Sequence, residues 1–247
     1  MKKLKLCAII TLVIGLLLPQ LWAEPDYGQL FMESDGLFPK KAKMATTLIN
    51  LSNGKESDRV TFTSYLNGKD KYLLVMEKPR ILKGQVQLRV ADIIYSYSSK
   101  TNKVTKVSAS AAFMNTTVSQ EDIMNSTLSR IYQVGNGAQI ELDGITCYRI
   151  ELVPKEKDAA YKKIVAIINK DTNQLVKREY YSYTGDLVKE LLVDDVQKST
   201  SGISRIQFTI IDVLHTGVST QLIFENIDSK APISDQMFDI KHLKYIN

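Results

Sequence analysis

Residues 112–123 read Ala112-Phe113-Met114-Asn115-Thr116-Thr117-Val118-Ser119-Gln120-Glu121-Asp122-Ile123 and open the central helical interruption of a strand-rich chain. Ser119 suits a helix N-cap because its hydroxyl can accept from an orphan backbone N–H, and Glu121 and Asp122 place negative charge where the helix dipole favours it. Ile123, Met124, Leu128 and Ile131 then make one apolar stripe, which predicts a helix from Ser119 to about Tyr132. An apolar helix laid over a sheet becomes either core or lid.

The flanking sequence is a succession of short β-branched and aromatic runs separated by turn residues. Before the helix, strands are expected at Lys43–Leu51, Asp58–Leu66, Lys71–Glu77, Gln85–Val90, Ile93–Ser98 and Lys103–Val107. After it they are expected at Gln139–Leu152, Lys163–Ile168, Leu175–Tyr183, Leu187–Val196, Ile203–Ile211 and Ser219–Ile227. Besides the central segment, only Asp235–Phe238 and Tyr27–Met32 read as helical. Tyr72-Leu73-Leu74-Val75-Met76 and Ile164-Val165-Ala166-Ile167-Ile168 are apolar on both faces, so something must cover the second face. The central helix and the N-terminal segment are the expected covers. So many antiparallel strands with so few helices should curl, leaving either a filled barrel core or a concave sheet around an apolar cavity.

The N-terminus carries an export signature. Lys2, Lys3 and Lys5 precede an apolar run from Ala8 to Leu18, and Leu21-Trp22-Ala23 ends in a small residue of the kind cleaved by signal peptidase. Residues 1–23 are therefore expected to be a secretory signal peptide and 24–247 a single domain. The apolar run is shorter than the roughly 20 residues that span a bilayer. Loss of those three lysines lowers the formal charge from +5 to +2, so the basic balance implies no nucleic-acid partner. Only Cys147 of the two cysteines would remain, which rules out an intramolecular disulfide in the mature chain and predicts a buried thiol.

Glu77-Lys78-Pro79-Arg80-Ile81-Leu82-Lys83-Gly84-Gln85-Val86-Gln87-Leu88, followed by Ser110 to Ile123, resembles the outer-membrane lipoprotein-sorting protein family related to LolA and LolB. In that family a Pro and then Lys-Gly lead through two strands to a Ser-Phe-Met-Gly-Ser-Asp-Phe-Ser-Tyr-Glu-Asp-Leu signature. Phe113, Met114, Ser119, Glu121, Asp122 and aliphatic Ile123 keep that pattern, while Asn115, Thr116, Thr117, Val118 and Gln120 depart from it. Tyr161–Ile168 and Lys177–Lys189 are similar to the family's second half, and Gly217–Thr220 and Ser234–Phe238 to its closing strands. The resemblance implies a mainly β fold: an incomplete, strongly curved antiparallel β-barrel with a few helices plugging the open side. It also implies an interior that receives acyl chains, at work in the periplasm.

For a carrier of this kind the physics is simple. Each buried methylene contributes about 0.8 kcal/mol, so one long acyl chain gains on the order of 10 kcal/mol by leaving water. A lid whose apolar stripe fills the empty cavity loads by exchanging one set of apolar contacts for another, and methionine adapts well to such exchange. Phe113, Met114, Ile123, Met124 and Leu128 on the lid, with Tyr72, Leu74 and Met76 on the sheet, are the candidate lipid-binding residues. The expected partners are the acyl chains of lipoproteins or lipids, an inner-membrane transporter and an outer-membrane acceptor, with the protein itself a monomer. No catalytic residue, metal or cofactor is implied.

Two other classes compete. A lipid-acting hydrolase would need a nucleophile, yet Gly202-Ile203-Ser204-Arg205-Ile206 and Gly217-Val218-Ser219-Thr220-Gln221 both lack the final Gly of a Gly-x-Ser-x-Gly elbow. The two histidines, His215 and His242, read as a turn residue and a C-terminal residue. A partner-binding accessory module of an export system would dock instead through an exposed sheet edge.

Overall fold

A computed structural model describes residues 24–246 except Lys69, Asn115, residues 124–127, residues 156–158 and Ser201. The expected signal peptide and Met124 therefore lie outside the described residues. Helix α1 (Tyr27–Asp35) begins at Asp26, whose carboxylate accepts from Gln29 N, and leads into six strands: β1 (Lys41–Ser52), β2 (Lys55–Asn67), β3 (Lys71–Lys78), β4 (Val86–Val90), β5 (Ile93–Ser98) and β6 (Lys103–Val107). Two four-residue helices follow, α2 (Gln120–Ile123) and α3 (Leu128–Ile131). Seven more strands complete the chain: β7 (Tyr132–Leu142), β8 (Ile145–Pro154), β9 (Lys163–Asn169), β10 (Leu175–Tyr181), β11 (Leu187–Ser199), β12 (Gly202–Asp212) and β13 (Val218–Asp228).

All thirteen strands form one antiparallel sheet in the order β6-β5-β4-β3-β2-β1-β13-β12-β11-β10-β9-β8-β7. The first and last strands thus pair at its centre, and β6 and β7 are its two edges, joined by residues 108–131. The sheet is strongly curved and does not close. One hydrophobic cluster contains Ile94 of β5 and Ile150 of β8, near opposite edges, which requires the sheet to wrap around a shared interior. Period-two alternation supplies that interior: Ala42, Met44 and Leu48 of β1, Val60, Phe62 and Leu66 of β2, and Tyr72, Leu74 and Met76 of β3 all point inward.

The strands that are apolar on both faces find different covers. Leu73 of β3, with Val86 and Leu88 of β4, packs outside the barrel against Ala231, Ile233, Phe238 and Leu243. These come from the C-terminal tail, whose two 3₁₀ turns span Asp235–Phe238 and Ile240–Tyr245. The expectation that the central helix and the N-terminal segment do all the covering is corrected here. Val165 and Ile167 of β9 form a third cluster with Cys147, whose thiol is buried and whose pKa is raised by that burial.

Two local expectations also change, and one strand departs from regular pairing. The expected single strand Gln139–Leu152 is two strands turning at Asp143-Gly144, with φ of 50° and 78°; an Asp-Gly pair is well suited to this left-handed hairpin geometry. The expected helix from Ser119 to Tyr132 is interrupted: α2 and α3 are single turns, and Tyr132, 1% exposed, already begins β7. Asp194 is a β-bulge between Val193 and Asp195, so strict alternation fails there. Asp194 accepts from Gln207 and Thr209, and Asp195 from Arg205, so both carboxylates share one face of the sheet.

Gly137 of β7 marks where α1 lies against this scaffold. A Cβ there would fall 2.4 Å from the Tyr27 ring, so only glycine allows the close approach.

Candidate functional site

Residues 108–131 run from one sheet edge to the other across the open side of the barrel. The loop at the start is tied back on itself: Phe113 N donates to Val118 O at 2.7 Å, Ala112 bridges Ser119, and Gln120 N donates to Ala111 O at 2.9 Å. Met114, at φ 51°, takes a left-handed conformation that is unusual for a long side chain. Phe113 and Val118 consequently enter the interior, where both are fully buried and the Phe113 ring lies 5.7 Å from that of Phe62. The loop tip reaches the centre of the sheet. Thr117 Oγ1 donates to Thr220 Oγ1 of β13 at 2.8 Å, and Thr220 donates to Asn50 Oδ1 of β1 at 3.0 Å.

Beyond the loop, Ser119 and Asp122 cap each other: Ser119 N donates to Asp122 Oδ2 at 2.8 Å and Asp122 N to Ser119 Oγ at 3.2 Å. The same Asp122 oxygen accepts from Lys189 Nζ of β11 at 2.6 Å, and Lys189 also donates to the Tyr161 hydroxyl at 2.7 Å. Burial, reinforced by Asp122 and Glu121, pushes the Tyr161 hydroxyl far above the usual tyrosine range. A second buried pair sits nearby. Asp35, at the end of α1, accepts from Arg178 Nη2 of β10 at 2.9 Å and from Ser129 N of α3 at 3.2 Å. On the opposite flank Arg130 holds Asp70, Asp92 and Ala91 O, which tethers α3 to the β2–β3 and β4–β5 turns. The segment crossing the open side is thus fastened by polar latches at several points around an apolar underside.

Burial raises the Asp35 carboxyl above its ordinary 3.8, against the opposing pull of Arg178 and the Ser129 and Leu128 amides. A carboxyl with a raised folded-state pKa supports folding fully below its unfolded value, and that support is lost as pH rises through the folded value. Asp35→Asn keeps an acceptor but does not ionise. Its stability relative to the wild type, measured by urea unfolding, is therefore expected to improve from pH 3 to pH 7. A relative loss over that range would reverse the assignment.

The two larger cavities among the described residues lie beside the latched segment. The larger, about 550 Å³, lies on the open side between β4–β5 and residues 108–131, with Ile94, Ala109, Ile131 and Ala159 in its wall and Arg89, Glu121 and Arg130 among its polar groups. The smaller, about 250 Å³, lies under the end of α1 and is lined by Phe38, Leu66, Tyr72 and Arg89, with Lys40 and Lys71 also in its wall. Arg89 borders both. Burial, with repulsion from Arg130, pulls its guanidinium down to about 10, while Asp70, Glu121 and Asp92 act in the other direction.

Residues 68–245 match the model of a family described as "-like: Uncharacterized protein". The chain belongs to that family. No curated protein matches it. Solved structures supply the name of the fold. A LolA superfamily protein from Nitrosomonas europaea superposes with a TM-score of 0.76 at 17% identity, over 87% of this chain and 98% of that one. A DUF1329 family protein from Desulfovibrio piger gives 0.74 at 24% identity, over 87% and 96%. A domain described as an outer-membrane lipoprotein-sorting protein, from Vibrio parahaemolyticus, gives 0.74 at 21% identity, over 87% and 97%. The chain therefore has the LolA/LolB-like fold.

Within this LolA-like barrel, Phe113, Ile123, Leu128, Tyr72, Leu74 and Met76 join one buried cluster, and half-buried Met114 packs against it. Tyr72 also lines the smaller cavity, and Leu128 a minor one of about 40 Å³ beside Tyr161 and Arg178. Phe113, Ile123, Leu74 and Met76 fill the interior rather than border open space. His215 is exposed and bonded to Asp212 Oδ2, while Asp212 Oδ1 accepts from the amides of Leu214 and His215, so it belongs to a turn. Sequence reasoning missed Gln87 and Arg89. In Val86-Gln87-Leu88-Arg89 they look like a solvent face, yet they point inward at 5% and 3% exposure. The signal that identifies them is the neighbouring β3: a strand apolar on both faces pairs with one whose two faces are also covered.

Proposed function

We propose that this protein is a periplasmic carrier, exported by a cleaved signal peptide. It binds the acyl chains of lipoproteins or lipids inside its curved sheet and moves them towards the outer membrane without catalysis. The observation that carries this reading is the position of Phe113, Val118, Ile123 and Leu128. They hang from a segment bridging the two sheet edges and occupy the concave interior where acyl chains would lie. In the empty protein these side chains stand in for cargo. Swinging the segment outward exchanges its apolar contacts for those of an acyl chain, at little net change in buried apolar area. The larger cavity, of about 550 Å³, falls within the range of small-molecule sites and offers the place where a chain end first enters.

Docking to an inner-membrane transporter and an outer-membrane acceptor follows from the same role, since a carrier must meet a donor and a receiver. The edge strand β6, where Lys103, Val104, Thr105 and Lys106 are exposed, offers the partner-binding alternative a specific surface. The two readings part in one titration with a dansylated fatty acid. The carrier account expects saturable fluorescence enhancement with a blue shift, reversed by unlabelled lipid. No enhancement at any protein concentration, together with retained binding to a partner, would leave the accessory-module reading alone.

A further inference from the structure

The interior of a carrier for purely apolar chains needs no buried cation, yet Arg89 is 3% exposed and borders both cavities. Tyr72 is its register partner across β3 and β4, so the two side chains share the concave face. The Tyr72 hydroxyl is buried and has no well-aligned hydrogen-bond partner among the described residues, the neighbouring Ser64 hydroxyl being engaged with Thr46 Oγ1 at 2.7 Å. Gln87, two residues along β4 on the same face, likewise buries an Oε1 with no donor among the described residues. An unmet hydroxyl beside a guanidinium is costly in an apolar interior, and it suits a ligand with an anionic oxygen. Lys40 in the wall of the smaller cavity adds positive charge on the approach to that point; of the other charges in that wall, Lys71 is paired with Asp235 and Asp35 with Arg178.

Among the charges facing Arg89 are Asp70, Asp92 and Glu121. Asp70 and Asp92 are held by Arg130. Glu121 differs from them because it rides on α2, within the segment that must move for cargo to enter. When that segment swings out, its carboxylate leaves and the charge on Arg89 remains fixed to the sheet.

We propose that Arg89 and Tyr72 form a receptor for the phosphate of a phospholipid headgroup, and that Glu121 of the lid holds its place in the empty protein. The inference rests on the carrier reading above and narrows its cargo. A phospholipid presents a phosphodiester to Arg89 and sends its chains into the space vacated by Phe113 and Ile123. A lipoprotein's uncharged diacylglyceryl group offers this pair only neutral ester carbonyls, which are weaker acceptors than an anionic phosphate oxygen.

Displacement of a bound dansylated fatty acid by dioctanoyl phosphatidylglycerol, by dioctanoylglycerol and by sn-glycerol 3-phosphate tests it on the intact protein. Charge-assisted hydrogen bonds predict that phosphatidylglycerol displaces the probe at a concentration about tenfold or more below that of the neutral lipid. Glycerol phosphate alone should not displace it. Arg89→Met should abolish the preference and keep dioctanoylglycerol binding; Tyr72→Phe, which removes only the hydroxyl, should reduce it. Glu121→Gln should tighten phosphatidylglycerol binding. Equal affinity of the wild type for both lipids, or an unchanged preference in both Arg89→Met and Tyr72→Phe, would overturn the headgroup receptor while leaving the carrier intact. Displacement by glycerol phosphate as strong as by the lipid would reassign the site to a soluble phosphate. Failure of every lipid to displace would overturn the carrier reading itself.

Discussion

Lys189→Met is expected to unfasten residues 120–131 while the sheet stays folded. Lys189 is the cation for Asp122, whose side chain is 7% exposed, and removing one partner of a buried pair strands the other at a cost of about 3–5 kcal/mol. In most cores that cost falls on the whole fold. On the proposed carrier mechanism Asp122 sits on a segment that lifts, so its charge reaches water without unfolding β1–β13. Hydrogen exchange separates the two outcomes. The Ile123 amide, bonded to Ser119 O, should exchange on the order of 10² to 10³ times faster, while amides in the central β1–β13 pairing should keep their rates. Adding Asp122→Asn to Lys189→Met should recover much of the protection, since no charge is then stranded. Equal acceleration in lid and sheet would mean that the segment is ordinary core.

The second large effect runs against intuition: deleting a core aromatic should strengthen binding. Phe113→Ala removes a fully buried ring, and such truncations cost about 3–5 kcal/mol through lost transfer energy and the cavity left behind. If the ring occupies the acyl site only in the empty, closed form, the loss is confined to that form. The loaded form does not feel it. The closed-to-open equilibrium then shifts, and apparent lipid affinity rises by up to about two orders of magnitude. Phe62, whose ring meets Phe113 at 5.7 Å, belongs to β2 and is wall in both forms. Phe62→Ala should lose both stability and affinity. Lower thermal stability in both variants, with tighter binding in Phe113→Ala and weaker binding in Phe62→Ala, is the expected pattern in calorimetry and lipid titration. Weaker binding in both would place Phe113 in the wall with Phe62.

Much of the architecture was legible because strand periodicity and turn residues are local signals. The alternation in Arg59-Val60-Thr61-Phe62-Thr63 fixes which face of β2 is buried, and every expected strand other than Gln139–Leu152 corresponds to an observed one. Reading that segment as one strand overlooked Asp143-Gly144, a local signal that was present but sat between two stretches, Gln139-Ile140-Glu141-Leu142 and Ile145-Thr146-Cys147, that both read as strand. The inward polar face of β4 was not legible from β4 alone, because Gln87 and Arg89 alternate just as solvent-facing residues do. Nor were the latches. Asp35 meets Arg178 across 143 positions of chain and Asp122 meets Lys189 across 67, so no window of sequence contains both members of either pair. The resemblance located the crossing segment correctly, but its two single-turn helices and its anchoring at Thr220 depend on where β13 lies beneath it.

The central claim is that the hollow of this sheet is built to exchange its own lid side chains for acyl chains. Organic-solvent extraction of the protein purified without detergent from the cell envelope, followed by mass spectrometry of the extract, tests it most directly. The account predicts acylated lipid approaching one molecule per protein, enriched in Phe113→Ala and depleted in Phe62→Ala. Lipid no more abundant than in an unrelated protein purified in the same way, and unaltered in either variant, would contradict it.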